Sequence, residues 1–468
     1  MSKRLILILA LAFVVGITFT AYAEVQNVKV SGDLNVLGIS RDLDLKHGKD
    51  NSGSYGRTSG IATITRVKVD ADLTDNVATT VRLLNERYWG TETENTGSSN
   101  ASNTNISLDL AYVALKEFLY SPLSLTIGRQ ELNIGSGMIL GDPDTNNAVT
   151  AASAFSNTVG TTINGDPDLS ARKAFDAIRA TLNYDPLVVD VIYAKINASG
   201  TKTNQKDDEG VFGVNANYKL NKATTIEGYL FEKRIGKDRV TTSGAPNKVQ
   251  RTDVIGGRVV NTSLKDLLLS LEVAHQFGTY SDTLSNTIQS RSAWAVETAA
   301  NYTFSKVKYV PSVTALYSYF SGDNDGPAGT GYRGNKAWDP MYENQKSGDI
   351  ANALFNQTNA HILGGIASVK PMDDVTLKGE YYAYWWAKPY DDGQVITSVR
   401  GNNLTTTERR FAGQELDVTG TYDYTEDVSF SLMGGCFFPG PSFAKQTTAN
   451  INQKKIASEM IGSMKVTF

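Results

Sequence analysis

The hydrophobic pattern of the chain has a period of two residues over most of its length, and this period restricts the fold more than any other feature. In TRVKVDADL (65–73), Val67 and its alternate neighbours share one face, and Lys68 and its charged neighbours share the other. The same separation recurs in GVFGVNANYKL (210–220) and in GQELDVTGTYDY (413–424). Such segments predict β-strands that are polar on one side and apolar on the other, in either a sandwich or a barrel.

The connections between these strands decide between the two architectures. Short turns are predicted at 73–76, 120–123, 184–187, 220–223, 264–267, 305–308, 371–374 and 425–428. They alternate with longer polar connections at 48–60, 91–105, 141–174, 200–210, 237–250, 282–290, 323–358, 390–410 and 440–454. A strict alternation of short and long connections is typical of outer-membrane barrels, whereas a sandwich has no reason to place every long loop at one end. We therefore predict an all-β chain that forms a transmembrane antiparallel β-barrel of about 18 strands, with short periplasmic turns and long extracellular loops.

Aromatic residues cluster near both ends of the predicted strands. Near the short turns lie Tyr120, Tyr184, Tyr218, Tyr302, Tyr422 and Tyr424. Near the long loops lie Tyr88, Trp89, Tyr193, Tyr280, Tyr317, Tyr319, Trp385, Trp386, Phe437 and Phe438. Because aromatic rings concentrate where hydrocarbon meets lipid headgroups, two such belts predict two membrane interfaces.

The two ends of the sequence are consistent with export. Lys3 and Arg4 precede an apolar run (5–19) and a small-residue site at 21–23, so residues 1–23 are predicted to be a secretory signal peptide, followed by a barrel over 24–468. The last segment, SEMIGSMKVTF, alternates up to Phe468. This ending resembles the C-terminal signal of bacterial outer-membrane barrels, which implies recognition of Phe468 by the barrel-assembly machinery.

Composition excludes several classes of function. With Cys436 as its one cysteine, the chain has no intrachain disulfide, no CxxCH haem motif and no multi-cysteine zinc site. The net charge of −4 gives no reason to expect a nucleic-acid partner. We expect no cofactor.

Three short motifs carry a family resemblance. Gly128-Arg129-Gln130, Gly413-Gln414-Glu415-Leu416-Asp417 and Phe438-Pro439-Gly440 resemble the alginate-export family of outer-membrane porins. The resemblance implies a monomeric barrel of 18 strands with an arginine-lined constriction, passing polar or anionic solutes. The sequence differs from that pattern in one respect, because all its predicted periplasmic turns are short and none could act as a long gating turn.

Strand parity gives the candidate residues of the pore. Basic side chains come mainly from the N-terminal strands and acidic ones from later strands, which places opposite charges on opposite walls. The candidate pore-lining and selectivity residues are Arg66, Lys68, Arg82, Arg129, Glu131, Arg179, Glu272, Glu297, Glu415 and Asp417. Charges of both signs on a lumen sort solutes by charge and dipole. The alternative is that they form cross-strand ion pairs of structural value only.

The run LTIGRQELNIGSGMILGD (125–142) does not obey simple alternation. It lacks the Gly-Lys-Ser/Thr ending of a phosphate loop and a following helix, so a nucleotide site is not predicted. Strict parity would place Arg129 and Glu131 in the hydrocarbon, at a cost of about 2–4 kcal/mol each. We therefore predict a bulge at Gly128 that turns both into the narrow zone of the lumen, with Gln130, Leu132 and Ile134 outward.

Two loops, 141–174 and 323–358, are long enough to fold inward and narrow the pore. The first is the better candidate for constriction. Both hold acidic pairs that could bind Ca²⁺ or remain solvated, at Asp142/Asp144, Asp166/Asp168 and Asp323/Asp325.

The predicted function is that of an outer-membrane porin for small hydrophilic solutes, including anionic ones. Secretion of an anionic exopolysaccharide is the first alternative. A hydrolase in the barrel is less favoured, because His47 and His361 lie beside long loops and His275 shares the parity of apolar residues. A plugged adhesin has the same sequence features, and only conductance distinguishes it. The expected partners are outer-membrane lipids, lipopolysaccharide and small polar solutes.

Overall fold

A computed structural model describes fourteen segments of the chain. They are residues 27–45, 57–90, 106–143, 167–197, 208–236, 249–282, 287–323, 336–344, 347–392, 395–397, 403–443, 445–446, 451–452 and 454–468. The predicted signal peptide and His47 lie outside these residues.

Eighteen long strands form one antiparallel sheet. In chain order they are β1 Asn27–Asp42, β2 Arg57–Thr74, β3 Val77–Tyr88, β4 Ser107–Leu115, β5 Leu123–Glu131, β6 Ala174–Asn183, β7 Leu187–Asn197, β8 Glu209–Asn221, β9 Thr224–Ile235, β10 Gln250–Asn261, β11 Leu267–Asp282, β12 Thr287–Thr303, β13 Ser312–Phe320, β14 Ala360–Met372, β15 Val375–Trp386, β16 Phe411–Asp423, β17 Val428–Pro439 and β18 Ala457–Thr467.

The sheet is closed because its last strand pairs with its first. β18 pairs with β17 on one side and with β1 on the other, from Asp42↔Ser458 to Asp33↔Thr467. Phe468 extends this seam, since its carbonyl and N–H bond the N–H and carbonyl of Gly32 at 2.8 and 3.0 Å. Closure satisfies every sheet edge, which a barrel in lipid requires.

The connections alternate between the two ends of the barrel as predicted, but their lengths do not alternate strictly. Those at one end have from two residues (75–76) to eight (304–311), and those at the other end are longer except the one between β11 and β12, which has four residues (283–286). Two of the long loops contain small hairpins, Val395–Thr397 with Asn403–Thr405 and Lys445–Gln446 with Ile451–Asn452. In the described residues the long loops also hold a 3₁₀ turn, Pro167–Leu169, and a short helix, α1 Asp349–Leu354. The predicted transmembrane antiparallel barrel is confirmed.

The two faces of the wall differ in polarity as the sequence period requires. In β8, Phe212 and Val214 are 54% and 36% exposed, whereas Val211 and Asn215, which flank them and have the opposite parity, are 1% and 4% exposed. Exposed apolar side chains recur on the same face of nearly every strand. This outer surface suits a hydrocarbon environment, and the other face lines the lumen. Among the described helices, none has the length and apolar character needed to cross a bilayer.

The main buried cluster lies inside the barrel, near the long-loop ends of the strands. There the inward face carries small apolar side chains, including Ala194, Ala274, Ala293 and Ala295. Larger side chains from the long loops, such as Trp338 and Tyr342, pack against them. The lumen is therefore narrowed by loop segments that have a hydrophobic core of their own.

Candidate functional site

The glycine-rich run after β5 folds into the lumen. Leu132, Ile134 and Leu140 are buried in the interior cluster, and Ile134 and Leu140 form an antiparallel bridge. Gly135 and Gly137 have φ angles of +64° and +88°, which only glycine adopts readily. We call residues 132–143 the first inward segment.

Acidic side chains on the wall hold this segment. The N–H of Ser136 donates to Glu272 Oε2 at 2.7 Å, and its hydroxyl donates to Glu297 Oε2 at 2.5 Å. The N–H of Gly135 donates to Glu227 Oε1 at 3.1 Å, and the Tyr229 hydroxyl donates to Glu272 at 2.7 Å. These wall residues come from β9, β11 and β12. The glycine-rich run thus presents backbone donors, from Gly135 and Ser136, to carboxylates of the protein itself.

The second inward segment comprises residues 336–344 and 347–359, between β13 and β14. It contacts the first directly, because the N–H groups of Gly141 and Asp142 donate to the Tyr342 carbonyl at 2.7 and 2.9 Å. Trp338 and Tyr342 are 2% exposed, and the Tyr342 ring meets Phe175 of β6 edge-on. The two segments therefore form one packed unit across the lumen.

Asp339 anchors one part of the second segment to basic side chains on the wall. Its carboxylate lies 3.1 Å from Lys233 Nζ and 3.9 Å from Arg291 Nη2. Gln276 makes two reciprocal bonds with the Asp339 backbone, at 2.7 and 2.9 Å. Burial alone would raise the pKa of Asp339, but Lys233 and Arg291 outweigh it and hold that pKa well below its usual range. The ion pairs are therefore present throughout the neutral range.

Glu415 anchors the other part, at the beginning of α1. Its two carboxylate oxygens accept the N–H groups of Ile350 and Ala351 at 2.7 and 2.8 Å. Gly348 precedes the helix with φ +80°, and a Cβ there would lie 2.2 Å from the Tyr384 hydroxyl and 2.6 Å from Glu415. An acid on β16 thus satisfies the open donors of a helix inside the pore.

Residues 167–173 form a third inward segment. Arg41, whose side chain is fully buried, bonds Asp168 at 2.6 Å and Glu459 of β18 at 2.7 Å. On the other side Glu86 accepts the N–H of Ala171 at 2.6 Å and the Ser170 hydroxyl at 3.0 Å. This segment therefore lies between β1 and β3, on the wall opposite the acids that hold the first segment.

A cavity of about 260 Å³ remains between the second and third segments and the wall. It is lined mainly by polar and charged side chains, among them Arg41, Asp168, Lys173, Asp349 and Glu459. Burial raises the pKa of Asp349, neighbouring Glu380 raises it further, and Lys378 and Arg41 lower it. This cavity is the candidate narrow passage in the described part of the chain.

Three of the predicted basic residues of the early strands, Arg66, Lys68 and Arg179, lie on the inward face. Arg66 bonds Asp33, Lys68 bonds Asp70, and Arg179 bonds Asp190, each at 2.8 Å. The Arg66, Lys68 and Arg179 side chains are nevertheless 24%, 36% and 35% exposed. The cationic groups are therefore paired but open to the lumen.

The predicted acidic residues of the later strands have different surroundings. Glu272, Glu415 and Asp417 are at most 1% exposed. Glu297 is half-buried against Ser136. The structure thus brings these acids together with the inward segments, which cover them.

The bulge predicted at Gly128 is wrong. The register of β5 runs without a shift through Gly128 against both β4 and β6. Gly128 instead permits a close approach, since with φ +124° its Cβ would lie 2.2 Å from the Ala111 carbonyl oxygen. The register shift lies one strand away, between β3 and β4, where Asp109 and Leu110 are both buried.

Arg129 consequently keeps the parity of exposed Ile127 and lies on the outer face. It is opposite Asp176 of β6, and Arg129 Nη1 is 3.4 Å from that carboxylate. Glu131 does not contact it and instead pairs with Arg82, whose Nε bonds Asp109 at 2.6 Å. Arg129 and Glu131 therefore do not form the inward pair predicted for the narrow zone.

Gln130, Leu132 and Ile134, which were predicted to face outward beside this pair, do not face outward. Gln130 is buried and donates to the Ala177 carbonyl at 3.1 Å. Leu132 and Ile134 belong to the interior cluster, because the chain leaves the wall after Glu131 and enters the lumen.

Several anchoring residues were not selected from the sequence. The alternation of the sequence does place four of them on the inward face, namely Glu86, Glu227, Glu459 and Arg291. It does not show which inward charges contact a loop. Arg41 and Lys233 lie near the long-loop ends of their strands, where the polar alternation gives way to apolar packing. Only the position of the loops identifies them.

No group of three or more His, Cys, Asp or Glu side chains suited to a metal ion occurs among the described residues. Of the acidic pairs, Asp144, Asp166 and Asp325 lie outside the described residues, while Asp142 pairs with Lys173 and Asp168 with Arg41. His275 lies against Trp294 with ring centroids 4.3 Å apart, and His361 bonds the Tyr317 hydroxyl at 2.8 Å. Both histidines are on the outer face.

Comparisons with known proteins agree with this geometry. A family model described as alginate export matches residues 49–456. The structure of OccK8 (OprE) from Pseudomonas aeruginosa is similar with a TM-score of 0.55 and 12% identity, covering 95% of this chain and 98% of that one. OccAB2 from Acinetobacter baumannii gives 0.54 and 9%, covering 95% and 99%. OpdK from Pseudomonas aeruginosa, in a structure with vanillate, gives 0.52 and 9%, covering 95% and 100%. No curated protein sequence matches the chain.

Proposed function

The chain belongs to the alginate export family and is a channel of the bacterial outer membrane, and we propose that it passes small hydrophilic solutes, including anionic ones, by passive diffusion. A barrel of 18 strands is wide enough to enclose an aqueous lumen. The inward segments then determine how much of that lumen is open.

One observation carries the preference for anions. The acids of the later strands are covered by the inward segments, whereas Arg66, Lys68 and Arg179 of the early strands remain exposed to the lumen. A covered carboxylate bonded to backbone N–H groups has little influence on a passing ion, while an exposed guanidinium attracts anions. Each of these cations has a carboxylate partner, but Asp33 and Asp190 are less exposed (16% and 5%) than Arg66 and Arg179, so this basic wall presents more cationic than anionic surface to the open part of the pore.

The cavity beside Arg41 and Lys173 is the proposed narrow point. Its size suits a small molecule with its hydration shell partly removed, and its lining offers both donors and acceptors. OpdK is similar in fold, and its structure contains vanillate, a small carboxylate. That likeness supports the proposal of a small anionic solute for this chain.

Planar-bilayer recording with the purified full-length chain tests the proposal. We expect single-channel steps and, in a KCl gradient, a reversal potential on the anion-selective side. Absence of steps at any voltage would overturn the channel proposal in favour of a plugged adhesin, and cation selectivity would overturn the role of the basic wall.

Secretion of an anionic polysaccharide is the second candidate. The description of the family and the exposed basic wall favour it. Against it, all eight short connections have eight residues or fewer, so none could form a long periplasmic gate. Block of the current by oligouronates at micromolar concentration, with no block by small carboxylates, would favour secretion.

Other parts of the proposal concern catalysis and partners. The family and fold are those of transport channels, and we propose that the chain has no catalytic site. A lipid or peptide hydrolysis assay that gave turnover would contradict this.

We also propose that the barrel is a monomer and that outer-leaflet lipids and lipopolysaccharide surround it. We propose further that the barrel-assembly machinery recognises Phe468. Native mass spectrometry tests the first of these, and an assembly assay on Phe468→Ala tests the last.

A further inference from the structure

A row of charged side chains crosses the outer face of the barrel near the long-loop ends of β5 to β10. Each member is directly opposite the next on the adjacent strand. In order the positions are Arg129, Asp176, Lys195, Gly210, Arg234 and Arg251, and all of them except Gly210 carry a charge. We call this the outer charged row.

The row borders the surface that faces lipid. Two positions further from the loops, β5 to β8 carry exposed Ile127, Ile178, Tyr193 and Phe212, and on β9 and β10 the exposed apolar residues begin two positions later, at Leu230 and Ile255. A charge within hydrocarbon costs about 2–4 kcal/mol, so four basic residues on this face require a polar surrounding. The row therefore marks where the wall passes from acyl chains into the headgroup layer of the outer leaflet.

The row is interrupted at Gly210, and a cavity of about 530 Å³ opens there. Lys195 and Arg234 line it from the two neighbouring strands, whose backbones are about 10 Å apart across the gap. The exposed rings of Tyr193 and Phe212 line the part of the cavity that is further from the long loops. Asp208, 2.8 Å from Lys195 Nζ, and Glu232, 3.0 Å from Arg251, complete the polar rim.

We propose that this cavity binds the phosphorylated sugar headgroup of lipopolysaccharide. Lys195 and Arg234 would bind phosphate oxygens by charge-assisted hydrogen bonds, and an acyl chain would lie across Tyr193 and Phe212. Because the two cations stand on strands separated by β8, each can take a phosphate of its own, so a headgroup with two phosphates engages both side chains and a phospholipid with one phosphate does not. Asp208 and Glu232 can contact the same phosphates through the divalent cations that accompany this lipid.

Native mass spectrometry of the full chain, titrated separately with bis-phosphorylated lipid A, monophosphoryl lipid A and phosphatidylglycerol, tests the assignment. We expect the bis-phosphorylated form to bind most tightly. The double variant Lys195→Ala/Arg234→Ala should bind it about thirtyfold more weakly, since each basic side chain near an anionic lipid surface contributes roughly a fivefold change.

Two further variants control for folding and for general charge. Lys222→Ala/Lys265→Ala removes two positive charges from short turns at the other end of the barrel and should leave lipid A binding unchanged. Lys195→Arg/Arg234→Lys should retain binding. Unchanged binding in the alanine variant, or equal binding of phosphatidylglycerol, would overturn the assignment. Single-channel conductance of the same variants should equal that of the parent chain, which separates this site from the solute pathway.

Discussion

Glu415, on strand β16 of the wall, accepts a hydrogen bond of 2.7 Å from the backbone N–H of Ile350, the second residue of a helix that lies inside the lumen. The same kind of contact joins Glu272 to Ser136 and Glu86 to Ala171. Wall carboxylates that accept backbone N–H groups are thus the common means by which all three inward segments are held.

Glu415→Gln should loosen α1. An amide has one acceptor oxygen, so one of the N–H groups of Ile350 and Ala351 would lose its partner, at a cost of about 1–3 kcal/mol. We expect larger and noisier single-channel currents with the barrel intact. Asp423→Asn, at the short-turn end of the same strand, is the matched control and should behave as the parent chain.

Two substitutions should loosen the first inward segment to different extents. Ser136→Ala removes the hydroxyl bond to Glu297 and keeps the N–H bond to Glu272, whereas Glu272→Gln weakens the bonds from both Ser136 and Tyr229. Glu272→Gln should therefore increase conductance more than Ser136→Ala. We expect the first inward segment to lose about 2–3 kcal/mol of stability in Glu272→Gln and about 1 kcal/mol in Ser136→Ala. Equal currents in both variants and the parent would mean that this segment does not border the open pore.

Asp339 should make the second inward segment resistant to acid. A carboxyl group with a lowered pKa contributes stability that is complete above its unfolded value, near 3.8, and is lost as the pH falls through the lowered value. Conductance should therefore not rise between pH 7 and pH 4 through this contact. Asp339→Asn should loosen the segment already at pH 7, because Lys233 and Arg291 lose their counter-charge, and a variant with parental currents at pH 7 would refute the anchor.

Neutralising the basic wall should reduce anion selectivity. Arg66→Gln/Arg179→Gln leaves Asp33 and Asp190 unpaired, so the local potential becomes negative. A unit charge about 6 Å from a passing ion changes its local concentration about threefold in water, and we expect the anion-to-cation permeability ratio to fall by at least that factor. Lys222→Gln, which removes one charge from a short turn, should change the ratio much less.

Arg129→Glu should leave ion selectivity unchanged, because Arg129 lies on the outer face opposite Asp176. The new like-charge pair should lower stability by about 0.2–1 kcal/mol, measurable as an earlier loss of the folded band on heating in detergent. A shift of the reversal potential towards cations would place Arg129 in the lumen after all.

The barrel was predictable because its determinants are local. Alternation in β2, β8 and β16 and the composition of the turns specify strand and face without reference to distant residues. The inward parity of Arg66, Lys68 and Arg179 follows from the same period. Even the family resemblance rested on such local runs as 413–417.

The contents of the lumen were not predictable in the same way. Parity identifies Glu272 and Glu415 as inward, but only the path of residues 132–143 and 347–359 shows that they are covered. Gly128 was misread for a related reason, since a glycine that permits a close approach to Ala111 and a glycine that marks a bulge look alike in sequence. The actual shift, at Asp109 and Leu110, has no glycine to indicate it.

The small side chains Ala194, Ala274, Ala293 and Ala295 make room for the large rings of the inward segments, so wall and loop fit each other as two halves of one interior. Loop and barrel are therefore not interchangeable modules. Grafting the second inward segment of a related channel onto this wall would leave gaps or clashes unless the alanines were exchanged with it. Within such a family, new solute preferences should arise through paired changes on both sides of this contact rather than through loop replacement alone.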